Sequence, residues 1–469
     1  MKKILFILIV PLLIVSCREE ADNNNQDSGK KYELLSISTE DNSIYLTYSY
    51  PTVDVQGHSI RLSSALMAYN PAQRDSSTAI RSVIIGCHIT INADHNAPSR
   101  LKTTAAVNDV TVINLFPKSA KIPELRQSVI IVPDYEGFGI SLERAHPYLS
   151  QEITARQVAD AAQYGLELYK DLEQSLPFAD DWKSFCLGYS QGGAVALATQ
   201  RYIERNALDD DLHFAGSFCG DGPYDLSETL KYYMLDDGTS TGVRTAHTKA
   251  TVSLPVVMPL IVKGMLDSDP RMKTHSITDY FSKPFLDTGI IDWITAKQLT
   301  TDEIAESWYK MCQTGYTAKD GTSYSAEQTR ILFPVQTKTK QILGYLYEVN
   351  ADLTKILNPD VADYLSDPSN YSLEHSYTGD KMDDLMTALE SNSVVTGWKP
   401  IHKIILLHSK YDMIVPVGNL YSFTSGHADA DIRTIFYGSK DHQETGTDFY
   451  LALLNTTFSE DLVWLFAEN

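Results

Sequence analysis

Apolar and polar residues along this chain change their spacing several times, and each change marks an element. Short β-branched and apolar runs recur at Glu33–Ser38, Ser43–Tyr50, Ser59–Ala68, Ser82–Ile91, Ser128–Pro133, Ser184–Gly188, His213–Cys219, Lys403–His408 and Ile432–Tyr437, and they read as strands. Helix-period segments lie between several of them, notably Ser150–Gln174, Gly192–Arg205 and Thr447–Ala467. Strands alternating with helices imply an α/β fold with a mostly parallel sheet covered on both faces. The early strands follow one another without helices, which predicts an antiparallel N-terminal edge. Between Gly222 and about Thr396 the alternation stops, so residues 222–396 read as a large, mainly helical insertion above the sheet. An insertion of that size belongs at the carboxyl edge of the strands, where open α/β sheets bind ligands.

The two ends follow different rules. Lys2-Lys3, an apolar run from Ile4 to Val15 and then Ser16-Cys17 form the charged, apolar and small-residue order of an export signal over residues 1–16. That run is too short to span a bilayer. Ile14-Val15-Ser16-Cys17 resembles a bacterial lipobox, which makes Cys17 a lipidation site and residues 17–31, polar and rich in Asn and Asp, a tether. Residues 32–221 and 397–469 are then the two parts of the core. The chain is expected to be exported and lipid-anchored, with acidic residues behind Cys17 that suit the outer-membrane surface.

Among 469 residues, 43% are hydrophobic and 21% charged, an ordinary globular balance. The net charge of −21, with no basic cluster, argues against nucleic acid as a partner. It also argues against adsorption to anionic lipid, so membrane contact is expected through acyl chains on Cys17. Cys87, Cys186 and Cys219 lie in strand-like runs and no C-x-x-C spacing exists, so neither disulfides nor a zinc site is expected. His88, Asp94 and His95 lack metal-site spacing, and no metal or cofactor is expected.

The strongest chemical signal is Gly188-Tyr189-Ser190-Gln191-Gly192, at the junction of a predicted strand and helix. A G-x-S-x-G turn there holds the serine in a backbone conformation that small flanking residues permit and lifts its hydroxyl clear of the sheet, making Ser190 the candidate nucleophile. Serine needs a base, and the base needs an acid to fix its tautomer. In this architecture the chain order is serine, acid, histidine. Asp412 follows the strand Lys403–His408 at the same sheet edge. Two histidines lie beyond it, His427 and His442; His427 precedes the next strand and His442 follows it on the edge shared with Ser190 and Asp412, so position favours His442. The oxyanion requires amide donors. One is Gln191, next to the nucleophile, and the second is expected from Gly86–Thr90, at His88 or Ile89.

At this point the chain resembles the α/β-hydrolase secretory lipases and their bacterial esterase relatives. The likeness rests on Val132-Pro133-Asp134-Tyr135-Glu136-Gly137-Phe138-Gly139, His146-Pro147-Tyr148-Leu149, the elbow with its doubled glycine, Gly222-Pro223-Tyr224-Asp225-Leu226, and Asp412 with Val415-Pro416. It implies carboxylic-ester hydrolysis through an acyl-serine, a helical lid over the site and no cofactor, with Asp134-Tyr135-Glu136 outside the chemistry. The chain departs from the family at the oxyanion loop, where a common His-Gly pair is absent. A serine peptidase with the same triad and a non-catalytic ligand-binding lipoprotein on this scaffold are the alternatives. The identity of the ester, whether of a lipid, a decorated polysaccharide or a small metabolite, is not written in the insertion.

Overall fold

The computed structural model describes residues 31–40, 43–69, 79–111, 125, 127–172, 175–341, 344–371, 377–452 and 457–467. The expected signal segment 1–16, Cys17 and, apart from Lys31, the tether lie outside the described residues. Among the described residues no helix is long and apolar enough to cross a membrane.

Nine strands build one sheet: β1 Glu33–Glu40, β2 Ser43–Val53, β3 Ser59–Tyr69, β4 Ile80–Cys87, β5 Ser128–Pro133, β6 Phe178–Tyr189, β7 Phe214–Gly220, β8 Lys403–Ser409 and β9 Ile432–Tyr437. Their order is β1-β2-β3-β5-β4-β6-β7-β8-β9. Pairings up to β3–β5 are antiparallel, and from β5 to β9 every pairing is parallel. Each of these strands matches one of the apolar runs, with ends moved by a few residues.

In the middle of the sheet the runs are unbroken because both faces are covered. In β4 and β5, Val83, Ile85, Val129 and Ile131 face one core while Ile84, Ile130 and Val132 face the other. The first core is closed by two helices, α1 (Gln151–Asp171) and α2 (Gln191–Arg205), through Ala155, Val158, Ala159, Ala162 and the small-residue run Ala194–Ala198. These apolar positions recur three and four apart, the period of one helix face. Small residues let the helices lie close to the sheet, as where the Tyr48 hydroxyl reaches over Gly165 to donate to the Ala161 carbonyl at 2.6 Å.

The opposite core is closed in part by the C-terminal helices, where the structure departs from the expected single helix Thr447–Ala467. One helix starts earlier and ends at Tyr450, and another spans Ser459–Phe466, together supplying Phe449, Leu462 and Leu465. The early start follows from a capping box in which Asp441 and Glu444 satisfy each other's backbone amides.

Between β7 and β8 the chain forms a third core around Tyr280, Phe285, Trp308 and Phe333. Helices dominate this stretch, among them Val257–Ser268, Thr301–Thr314 and Lys381–Asn392. It also holds a three-stranded antiparallel sheet of Val335–Gln341, Gly344–Asp352 and Thr251–Val252, which a reading as helix and turn had not anticipated. Lys338, Tyr345 and Tyr347 lie on its hairpin, with the ammonium over both rings.

Candidate active site

Ser190 ends β6 and opens α2. Its backbone sits at φ 56° and ψ −124°, a region that a residue with a side chain enters only when its surroundings hold it there, at a cost of about 1–3 kcal/mol. The neighbours make this turn possible. A Cβ on Gly188 would lie 2.1 Å from the Gly192 carbonyl oxygen, and one on Gly192 would lie 2.2 Å from that of Cys87. The elbow is therefore pressed backbone to backbone against the end of β4.

Asp412, three residues past β8, is buried. Its Oδ1 accepts the amides of Ile414 at 2.8 Å and Val415 at 2.9 Å, and its Oδ2 lies 2.5 Å from His442 Nδ1. Two fixed amides thus aim the carboxylate, and the carboxylate fixes the ring. Burial pulls the imidazolium of His442 down, but the charge and hydrogen bond of Asp412, with the nearby Asp221 and Asp441 carboxyl groups adding less, more than offset it and hold the ring's proton affinity above the ordinary histidine value. Nδ1 faces the acid, which leaves Nε2 as the free ring nitrogen.

A cavity of about 440 Å³ is lined by Ser190 and His442 together with Ile89, Thr90, Leu254, Ile414 and Tyr450. Thr301 and Asp302, at the start of Thr301–Thr314, line it from the segment between β7 and β8. A second cavity of about 370 Å³ shares His442, Leu254 and Ile414 with the first and extends toward Trp308 and Tyr347. His442 borders both.

Other expected residues fall differently. His427 is buried away from the cavity, its Nδ1 and Nε2 facing the carbonyls of Phe423 at 2.8 Å and Trp398 at 3.0 Å. Gln191 is the first residue of α2, where helix geometry leaves an amide without an intrahelical acceptor. Ile89 lines the cavity, but its N–H donates to the Val110 carbonyl at 2.8 Å, which corrects its assignment as an oxyanion donor. His88 is fully buried and stacked on Tyr135 at 3.7 Å; burial drops its imidazolium to about 4, so the ring is neutral packing. Thr90, which the sequence reading passed over, points into the cavity and has its Oγ1 2.8 Å from the Tyr148 hydroxyl.

Asp134 and Glu136 serve the frame. Asp134 accepts from the Ser63 hydroxyl at 2.6 Å and the Ser99 amide at 2.8 Å, while Glu136 binds Arg144 at 2.6 Å and Gln157 at 2.8 Å. Cys87, Cys186, Cys219 and Cys312 are free and buried. Among the described residues one group of three metal-capable side chains gathers, Asp221, Asp412 and His442, with an atom of each within 4.8 Å of the others. Each already has protein partners: Asp412 the amides of Ile414 and Val415 and the His442 ring, Asp221 the Ser409 amide and the Tyr189 hydroxyl, and His442 Nδ1 the Asp412 carboxylate. Asp221, a loop acid in sequence, is the member that sequence reasoning missed.

No family model matches the chain, and no curated protein matches it by sequence. Solved structures do match in shape. The rice cell wall degrading esterase LipA from Xanthomonas oryzae superposes with a TM-score of 0.61 at 17% identity, over 92% of this chain and 95% of that one. A Legionella pneumophila protein gives 0.59 at 17%, over 93% and 99%. Candida antarctica lipase A in its closed state gives 0.51 at 13%, over 87% and 77%. At such identities the likeness speaks to architecture, and with the sheet order and the strand-turn-helix elbow it establishes that this chain has the α/β-hydrolase fold.

Proposed function

We propose that the protein is a serine hydrolase cleaving carboxylic esters through an acyl-serine. The observation that carries this reading is that Ser190, on its strained turn, and the imidazole of the 2.5 Å His442–Asp412 pair line one cavity. His442 Nε2 takes the Ser190 proton as Oγ attacks the ester carbonyl, and returns it to the departing alcohol. Asp412 holds the tautomer and steadies the imidazolium. The Gln191 amide and Thr90 meet the oxyanion. Water, activated by the same imidazole, then cleaves the acyl-serine and frees the acid.

Two cavities that both border His442 suit an ester with a sizeable group on each side of the scissile bond. The esterase and lipase names of the structural neighbours favour the same class of substrate. Residues 222–396 act as the lid or cap, 32–221 and 397–469 as the two parts of the core, and the chain is exported and tethered to a bacterial outer membrane by acyl chains on Cys17.

Turnover of p-nitrophenyl esters by the wild type and by Ser190→Ala tests the reading. Loss of hydrolysis in a folded variant supports it, and undiminished hydrolysis removes Ser190 from the mechanism.

A further inference from the structure

Asp221 follows β7 and is fully buried, with φ 37°, in the region that side-chain-bearing residues rarely occupy. Its own N–H donates to the Leu407 carbonyl at 2.9 Å. Its Oδ1 accepts the Ser409 amide at 2.8 Å, and its Oδ2 lies 2.6 Å from the Tyr189 hydroxyl. That hydroxyl also lies 2.5 Å from the main-chain carbonyl oxygen of His442.

These contacts set a proton count. A tyrosine hydroxyl carries one proton and a carbonyl carries none. The short contact to His442 uses the tyrosine's proton, so the contact between Tyr189 and Asp221 needs a second one, and only the Asp221 carboxyl is available to supply it. The surroundings agree. The titratable groups facing Asp221 are Asp412 and His442, the tyrosines Tyr189, Tyr224 and Tyr437, and His408, whose Nε2 is 3.6 Å away and whose imidazolium burial drops to about 4. Two carboxylates share one imidazole, and Asp412 is the one with two amides and the ring on its oxygens. Burial first, and the Asp412 charge second, push the Asp221 carboxyl well above its ordinary range.

Building on the Ser190–His442–Asp412 reading, we infer that Asp221 is a positioning residue held as a neutral carboxylic acid. Its O–H donates to Tyr189, and Tyr189 donates to the His442 carbonyl. This chain anchors the first residue of helix His442–Tyr450, which carries the base, while Tyr189 also packs its ring against the imidazole at a centroid distance of 5.0 Å. It leaves Asp412 as the one charged carboxylate hydrogen-bonded to the imidazole, so the base is not made too basic to be neutral at working pH.

The first measurement needs no turnover. In the folded wild type at about pH 8, where Asp134 (pushed up to about 6 by burial) has ionised, a carboxylic-acid carbonyl band should persist in the infrared spectrum and vanish in Asp221→Asn. Absence of that band in the wild type overturns the proposal, whether or not Ser190 is the nucleophile.

The second measurement is kinetic. Asp221→Ala should lower kcat by about tenfold or more with KM little changed, whereas Asp221→Asn, whose amide can donate to Tyr189 and accept from Ser409, should recover kcat to within about threefold. Tyr189→Phe should cost about tenfold, and adding Asp221→Asn to it should cost no more, because the two groups act in series. In Asp221→Asn the acid limb of the pH profile should stay where it is. A downward shift of about a unit would reveal a lost negative charge and contradict the neutral acid.

Discussion

Two buried acid clusters stand at carboxyl ends of strands in the same sheet, and they do different things. After β5, Asp134 spends its oxygens on Ser63 and Ser99, and Glu136 spends its own on Arg144 and Gln157. After β8, Asp412 uses one oxygen for two amides and turns the other to an imidazole that borders a cavity. Burial and hydrogen bonding are common to both. On the proposed reading, a chemical role comes from the one partner that can exchange a proton and reach open space.

The largest expected effect separates the clusters outright. Asp412→Asn should lower kcat/KM by about 10³- to 10⁴-fold, since the imidazole loses both its tautomer guide and the charge that steadies it. In steady-state kinetics across pH, activity should rise as His442 loses its proton, and that limb should lie lower in the variant, because the Asp412 charge is what holds the ring's proton affinity up. A limb that stays in place would assign it to another group.

A smaller loss is expected at the elbow. Gly192→Ala places a Cβ against the Cys87 carbonyl oxygen, so the turn must shift, and a misplacement of about 1 Å near reacting atoms can cost about 10²-fold. Esterase assays with parallel thermal unfolding would separate this from global damage.

Asp134→Asn should leave kcat/KM within about threefold and act on stability instead. The wild-type carboxyl, raised to about 6, stabilises the fold fully below the unfolded carboxylate value of about 3.9 and loses that contribution as pH rises through about 6. An amide does not ionise, so the variant's unfolding free energy relative to the wild type should climb over that interval, as denaturant titrations at several pH values would show. The smallest effect should come at His427, where His427→Gln is expected to leave the pH profile of ester turnover unmoved, both ring nitrogens facing main-chain carbonyls away from the cavity.

Much of this contrast was legible in the chain. The central strands of the main sheet announce themselves because burial on both faces demands unbroken runs such as Lys403–Ser409, whereas the edge strands β1 and β9 are exposed or half-buried and show through their β-branched and aromatic residues. The proposed Ser190, Asp412 and His442 are read from chain order and strand ends. What escaped depends on distant parts of the chain meeting. Asp221 reads as a turn acid until β6, β7 and β8 are side by side. The Ile89 amide looks free until Val110, on a helix further along the chain, accepts it. The hairpin 335–352 is rich in Lys, Gln and Thr, with too few buried positions to show a strand period.

The most direct test is covalent. A fluorophosphonate probe added to the folded protein, followed by digestion and mass spectrometry, should place one adduct on the peptide bearing Ser190, with labelling slowed sharply in His442→Ala. An unlabelled Ser190, or an adduct on a different residue with Ser190 intact, would contradict the account.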